Sequence, residues 1–337
     1  MTASGDAVAP ARTADEAASV RDAAVDDLVD RLIAGDRRAL ARVLTHIEDG
    51  TADVVRATVR RLHPHTGRAA SVGITGAPGA GKSTLVNGLI AAWRARGATV
   101  AVLAVDPSSP FSGGALLGDR VRMQDHVLDD GVFVRSMATR GQLGGLSWTT
   151  PQALLALDAA GYDRVVVETV GVGQAEVEVA ALADTTVVVV APGMGDAIQA
   201  AKAGILEIAD VFCVNKADRP GAARTARELR ELQTLGDAEG ADVPIVSTSA
   251  SAGDGIEGLC AAIDGHHDAL VADDGLASRR CARARLQIRE LALGTVRERA
   301  AAVTGARSLD VLAMAVARRE LDPYGAADSL LAAIDGS

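Results

Sequence analysis

Hydrophobic positions along the chain change their period twice, and the changes divide it into sections. From Glu16 to Leu62, Val25, Leu28, Val29, Leu32 and Ile33 recur at spacings of three and four, and Leu40, Val43, Leu44 and Ile47 repeat the device. That period marks amphipathic helices, and Gly35 and Gly50 cut the stretch into about three. From Gly67 to His267, short β-branched runs alternate with helical stretches, the signature of a parallel sheet wound by right-handed crossovers. The expected strands are Ser71 to Thr75, Thr99 to Val105, Val132 to Arg135, Arg164 to Thr169, Thr185 to Ala191, Val211 to Asn215 and Val243 to Thr248. Unbroken apolar runs such as Val187 to Ala191 suit strands covered on both faces. Beyond Leu270 the helical period returns, with Arg283, Arg285, Arg289 and Glu290 among Leu286, Ile288, Leu291 and Leu293, and three terminal helices are expected.

The expected architecture is therefore an α/β fold with a mostly parallel twisted sheet flanked by helices. Its parts are a disordered tail over 1–15, a helical extension over 16–66, a nucleotide-binding core over 67–272 and a C-terminal helical arm over 273–337. The arm has too few helices for a core of its own, so it packs on the central domain or reaches to a second subunit.

Composition narrows the class. Apolar residues make up 48% of the 337 residues but aromatics only 2%, so Ala, Val, Leu and Ile must build the core. A net charge of -10, with 34 Lys and Arg residues scattered along the chain, argues against nucleic acid or an anionic membrane as partner. Cys213, Cys260 and Cys281 are far apart and form no metal-binding pattern, so they read as reduced, buried thiols. The first twenty residues lack an apolar signal core, and no apolar run is long enough to span a bilayer, so a cytoplasmic location is expected.

The strongest chemical signal is Gly76-Ala77-Pro78-Gly79-Ala80-Gly81-Lys82-Ser83-Thr84, which fits G-x-x-x-x-G-K-[ST] between an expected strand and an expected helix. Glycines let the main-chain N–H groups close around phosphates, and the helix N-terminus adds favourable partial charge. Lys82 is expected on the β and γ phosphates, and the Ser83 hydroxyl on Mg²⁺. A second signal, Asn215-Lys216-Ala217-Asp218, directly follows an apolar strand. A carboxylate there accepts from the ring N–H and exocyclic amine of guanine, a donor pair that adenine lacks, so GTP is expected in preference to ATP. Ser249-Ala250-Ser251, after the last strand, fits a loop whose backbone supports the same base.

The third signal is Glu168-Thr169-Val170-Gly171, where a Mg²⁺-linked carboxylate and a γ-phosphate-sensing glycine belong. Glu168 can hold a Mg²⁺-bound water or orient the attacking water, and Gln174 is the other candidate for that task. Asp106, closing a strand before Pro107, and Asp119 in Leu117-Gly118-Asp119-Arg120 are further candidates for Mg²⁺ or its waters. Three Gly-rich stretches, Ser112 to Gly114, Arg140 to Gly145 and Pro192 to Asp196, follow strands on the same edge. They read either as plain turns or as segments that reorder with the γ-phosphate. His266 and His267 lie in an expected helix and point to different faces, as solvated or packing residues.

On these residues the chain resembles the GTPases associated with methylmalonyl-CoA mutase, the family of MeaB, ArgK and the human cobalamin A protein. The resemblance runs from about Arg31 to Leu331. It is carried by Gly76 to Thr84, Ala104 to Ser109, Leu117 to Arg120, Thr139 to Gly145 without Gln142, Val167 to Gln174, Lys202 to Asp210, Asn215 to Asp218, and the closing Asp322-Pro323-Tyr324 with Ala326 to Asp328. The Glu-Thr-Val-Gly-Val-Gly-Gln run is more specific than any phosphate-loop motif. The resemblance implies a homodimeric GTPase, related to the metallochaperone GTPases, that docks on an adenosylcobalamin-dependent acyl-CoA mutase. There it would gate cofactor delivery and protect or rescue the mutase. Asp106, Asp119 and Glu168 would serve Mg²⁺ and hydrolysis, and Pro192 to Gly204 would signal to the mutase. Where close relatives have Gly-Asp-Glu-Leu-Gln, this chain has Gly195-Asp196-Ala197-Ile198-Gln199, which leaves the identity of the mutase open. The rival readings are a metallochaperone and a transport-associated kinase. The first predicts a His-rich tract or Cys-x-Cys that the sequence lacks, and the second sits badly with a guanine-reading Asp218.

Overall fold

The computed structural model describes residues 14–106, 126, 128–138, 149–169, 175–193, 206–235 and 243–335. The chain divides into two compact units, residues 1–276 and 277–337.

The first unit opens with α1 (Ala14–Ile33), α2 (Arg37–Asp49) and α3 (Ala52–Leu62). Asp36 caps α2 by accepting from the N–H groups of Arg38 and Ala39. The apolar stripes foreseen in the sequence are buried: Val29, Val43, Leu44 and Leu62 are fully enclosed. They join one continuous cluster with Ala101, Leu103 and Val165 of the sheet and Ala153, Ala156 and Leu157 of a flanking helix. The extension thus shares the core of the nucleotide-binding fold.

The sheet is formed by β1 (Ala70–Gly76), β2 (Val100–Asp106), β3 (Val132–Ala138), β4 (Arg164–Thr169), β5 (Thr185–Val190), β6 (Val211–Val214) and β7 (Ile245–Ser247). Its order is β3-β2-β4-β1-β5-β6-β7, and every pairing is parallel. Each strand therefore needs a crossover, and the crossovers cover both faces. One face carries α4 (Lys82–Ala95) and α8 (Ile256–Ala272) over Val72, Ile74, Val187 and Val189. The other carries α5 (Thr150–Ala159), α6 (Ala175–Leu182) and α7 (Ala222–Leu235). The expected strand from Val243 is shorter than its apolar run suggests. Pro244 has no N–H to give the ladder, so the edge strand starts at Ile245.

The second unit contains most of α9 (Gly275–Ala302), then α10 (Leu309–Ala317) and α11 (Pro323–Asp335). No residue of α9 is buried. Leu286, Ile288, Leu291, Leu293 and Val296 are exposed, and α10 and α11 bury only Leu312, Ala326 and Ile334. Cys213 and Cys260 are buried, and burial pushes both thiols up to about 12. Cys281, expected to be buried, is instead exposed on α9, none of whose residues is buried. No helix among the described residues is long and apolar enough to cross a membrane.

Candidate nucleotide site

β1 lies in the middle of the sheet and delivers Gly76 to its carboxyl edge, where α4 begins at Lys82. This is where an open parallel sheet places ligands. The turn between them is shaped by main-chain geometry. Gly81 sits at φ +93°, and a Cβ there would lie 2.5 Å from the Asn215 Nδ2 atom. Only glycine accepts both the left-handed backbone and that contact. Lys82 is 6% exposed, and its ammonium donates to the carbonyls of Gly76 at 2.6 Å and Ala77 at 3.1 Å, which folds it over the loop.

Ser83, one residue into α4, donates from Oγ to Glu168 Oε1 at 2.6 Å, and both side chains are buried. Glu168 reaches this position because β4 pairs with β1 in parallel register, Ile74 opposite Glu168. Behind it the Thr169 hydroxyl donates to Thr75 Oγ1 at 3.2 Å. Two hard oxygen donors beside a phosphate loop fit Mg²⁺, which takes one or two protein oxygens and completes its shell with phosphate and water.

The second wall follows β6. Asn215 is 2% exposed and bridges two loops. Its Nδ2 donates to the Ala80 carbonyl at 2.9 Å, and its Oδ1 accepts from the Ala250 N–H and the Thr248 hydroxyl, each at 3.1 Å. Lys216, at φ +58°, extends Nζ to the Gly79 carbonyl at 2.6 Å. Asp218 is exposed at the turn, and the Ser249 hydroxyl donates to its Oδ1 at 2.8 Å. That hydroxyl is the largest cause holding the Asp218 carboxyl below its ordinary value, so an anionic acceptor stands ready at neutral pH.

The structure thus brings together Gly76 to Thr84, Glu168, Asn215, Lys216, Asp218 and Ser249 to Ser251. Asp119 and Gln174 lie outside the described residues, as do Ser112 to Gly114, Arg140 to Gly145 and Met194 to Gly204. Asp106 closes β2, and its side chain is likewise outside the described part. His266 does not face this site: its ring bonds the Thr185 hydroxyl at 2.9 Å and lies 3.3 Å from Asp210, at the amino ends of β5 and β6. One contributor was not anticipated as such. Thr248, whose hydroxyl also meets Cys213 Sγ at 3.2 Å, orients Asn215, and its place just before Ser249 was the available signal.

Comparison with known proteins agrees with this geometry. The family described as methylmalonyl Co-A mutase-associated GTPase MeaB matches residues 40–305. A Pyrococcus horikoshii relative carrying a GTPase name is 46% identical over 316 residues, covering 93% of this chain and 99% of its own length. The fused isobutyryl-CoA mutase of Cupriavidus metallidurans is 38% identical over 232 residues, 66% of this chain and 21% of that protein. Among solved structures, the LAO/AO transport system kinase superposes with a TM-score of 0.68 at 27% identity, covering 93% of this chain and 98% of that one.

Proposed function

Because the chain belongs to the MeaB family of methylmalonyl-CoA mutase-associated GTPases, we propose that it uses GTP hydrolysis to gate adenosylcobalamin loading, and to protect or reactivate, a cobalamin-dependent acyl-CoA mutase. The observation that carries this reading is the fused isobutyryl-CoA mutase. A stretch similar to this chain is there part of the same polypeptide as an acyl-CoA mutase.

In this reading the main-chain N–H groups of Gly79 to Ser83 grip the β-phosphate, and the Lys82 ammonium leaves its loop carbonyls for the β and γ oxygens. Ser83 and Glu168 hold Mg²⁺ directly or through a water, with Asp106 and Asp119 as further acids. The ion supplies charge neutralisation on the phosphate oxygens. Glu168 or Gln174 orients the attacking water. Asp218 reads the guanine edge, while Asn215 and Lys216 fix the base loop against the phosphate loop. Hydrolysis serves as a switch only if the mutase complex binds the GTP and GDP forms with different affinity.

The arm supports a homodimer. It leaves Leu286, Ile288 and Met314 exposed and buries almost nothing within itself, a composition that a second subunit would cover.

The direct test is capture from extract with the protein loaded with a non-hydrolysable GTP analogue or with GDP. Recovery of a cobalamin-dependent mutase that depends on the loaded nucleotide is expected. Recovery of none in either state refutes the proposal.

A further inference from the structure

The middle of β1 holds a glycine that no loop geometry requires. Gly73 pairs in regular register with Val167 of β4 and Thr186 of β5, so its missing side chain answers to packing. A Cβ at this position would lie 2.5 Å from Val179 Cγ1, 3.1 Å from Ala183 Cβ and 3.4 Å from the Val179 carbonyl oxygen. Val179 belongs to α6 and is wholly buried. The helix therefore rests directly on the backbone of the strand.

A second contact, two residues upstream, ties β1 to the turn that leaves α6. The Ser71 N–H donates to Asp184 Oδ2 at 3.1 Å, and the Asp184 N–H donates back to Ser71 Oγ and to the Ser71 carbonyl, each at 2.9 Å. Ser71 and Asp184 are both buried. So the carboxyl half of α6 is seated on β1 by the close approach at Gly73, and the turn that follows the helix is held to β1 by a reciprocal hydrogen-bonded pair.

Both elements lead into the site. β1 enters the phosphate loop at Gly76, three residues after Gly73. The chain leaving Glu168 enters α6 at Ala175, four residues before Val179. We infer that Gly73 is a positioning residue for GTP hydrolysis, because its lack of a side chain seats α6 on the strand that carries the phosphate loop. This sets the spacing between that loop and the start of α6 at Ala175. The inference rests on the proposed role of residues 168 to 174 at the γ-phosphate.

The size of the effect follows from the contact. Carbon atoms pack at about 3.5 to 4.0 Å, so a methyl group at Gly73 must lift α6 by about 1 Å. A misplacement of about 1 Å costs roughly a hundredfold in rate. The base and phosphate contacts do not pass through α6, so nucleotide affinity is spared.

The test uses the full chain as Gly73→Ala, Val179→Ala and the double variant, with single-turnover GTP hydrolysis, GDP affinity and thermal midpoint measured for each. Gly73→Ala is expected to lower the rate roughly a hundredfold with GDP affinity near wild type. Val179→Ala in the same chain removes the clashing methyl and is expected to restore most of the rate. A wild-type rate in Gly73→Ala, or a folded double variant with no recovery, overturns the inference. If Gly73→Ala does not fold, Val179→Ala alone loosens the same seat from the helix side, and a wild-type rate there overturns the inference equally. Gln174→Ala separates the two readings. A slow Gln174→Ala beside a wild-type Gly73→Ala overturns the inference alone. A slow Gly73→Ala rescued by Val179→Ala supports it, even where Gln174→Ala is unaffected and the water-orienting role of that residue falls.

Discussion

Replacing Asn215 with alanine should weaken the whole nucleotide site without touching a phosphate-binding group. The side chain satisfies three partners: the Ala80 carbonyl, the Thr248 hydroxyl and the Ala250 N–H. Truncation takes this partner from the carbonyl of Ala80, a residue at 0% exposure, and leaves the hydroxyl of Thr248, at 1% exposure, only its weaker contact with Cys213 Sγ. A buried polar group left unpaired costs about 1–3 kcal/mol. Water can reach the half-buried Ala250, so one full penalty at Ala80 and a partial one at Thr248 remain, about 3 kcal/mol together. For a unit of this size that lowers the thermal midpoint by roughly 6 °C. The internal scale is Thr248→Val, which removes one donor while Asn215 Oδ1 keeps the Ala250 N–H, and should cost about 1 kcal/mol. Urea unfolding of both variants, each without nucleotide, reads the difference. If Asn215→Ala costs no more than Thr248→Val, the bridging role assigned to Asn215 is wrong.

Asp218→Asn exchanges a two-way acceptor for an amide with one acceptor and one donor; GDP affinity should fall by roughly 10²–10⁴-fold while xanthosine diphosphate, which presents an oxygen at that edge, gains. Competitive titration measures this, and unchanged GDP preference refutes the base-reading role. Asp129 is held at about 2 against an ordinary 3.8, chiefly by the Arg94 guanidinium, then by the Gly131 N–H. Because the folded value is the lower one, its stabilisation is complete above about pH 4 and is lost as pH falls through about 2. Asp129→Asn should flatten that part of the acid-unfolding curve, and an unaltered curve refutes the assignment. Leu286→Glu with Leu293→Glu, two exposed residues on one face of α9, should shift the proposed dimer to monomer in analytical ultracentrifugation; a wild-type sedimentation profile would exclude this face from the interface.

The features that the sequence made legible are those whose cause is local. The turn at Gly76 to Lys82 follows an apolar run and contains the glycines that its backbone needs, and Asn215 to Asp218 directly follows another such run. Contacts between distant side chains left no such mark. Asp158 on α5 accepts from the N–H groups of Gly67, Arg68 and Ala69, pinning the entry to β1 from about ninety positions away. The extension is docked on the edge strand in the same way. Arg37 donates to the carbonyls of Asp129 and Val132, and Arg135 of β3 reaches Thr45 and Glu48 of α2. Each of these residues looks like an ordinary surface charge in the sequence, because nothing in its own neighbourhood specifies the partner. The exposed Cys281 failed for a related reason. The burial expected of a cysteine presupposes a helix with a buried face, and no residue of α9 is buried.

The arrangement of bonds separates two proposed functions that share one ligand. Asn215 ties Ala80 to Ala250, Lys216 ties its own loop to Gly79, and Ser249 holds Asp218. The groups proposed to grip phosphate and those proposed to read the base are therefore one hydrogen-bonded body, and a change in it should alter which nucleotide is held. Glu168 enters from β4, and the helix that follows it is seated on β1 through Gly73. If Gly73 positions α6 as inferred, a change there would leave the grip intact and alter how the far end of the phosphate chain is met. Separable control of binding and turnover is what a nucleotide switch needs, since its timing must be adjustable without loss of its ligand.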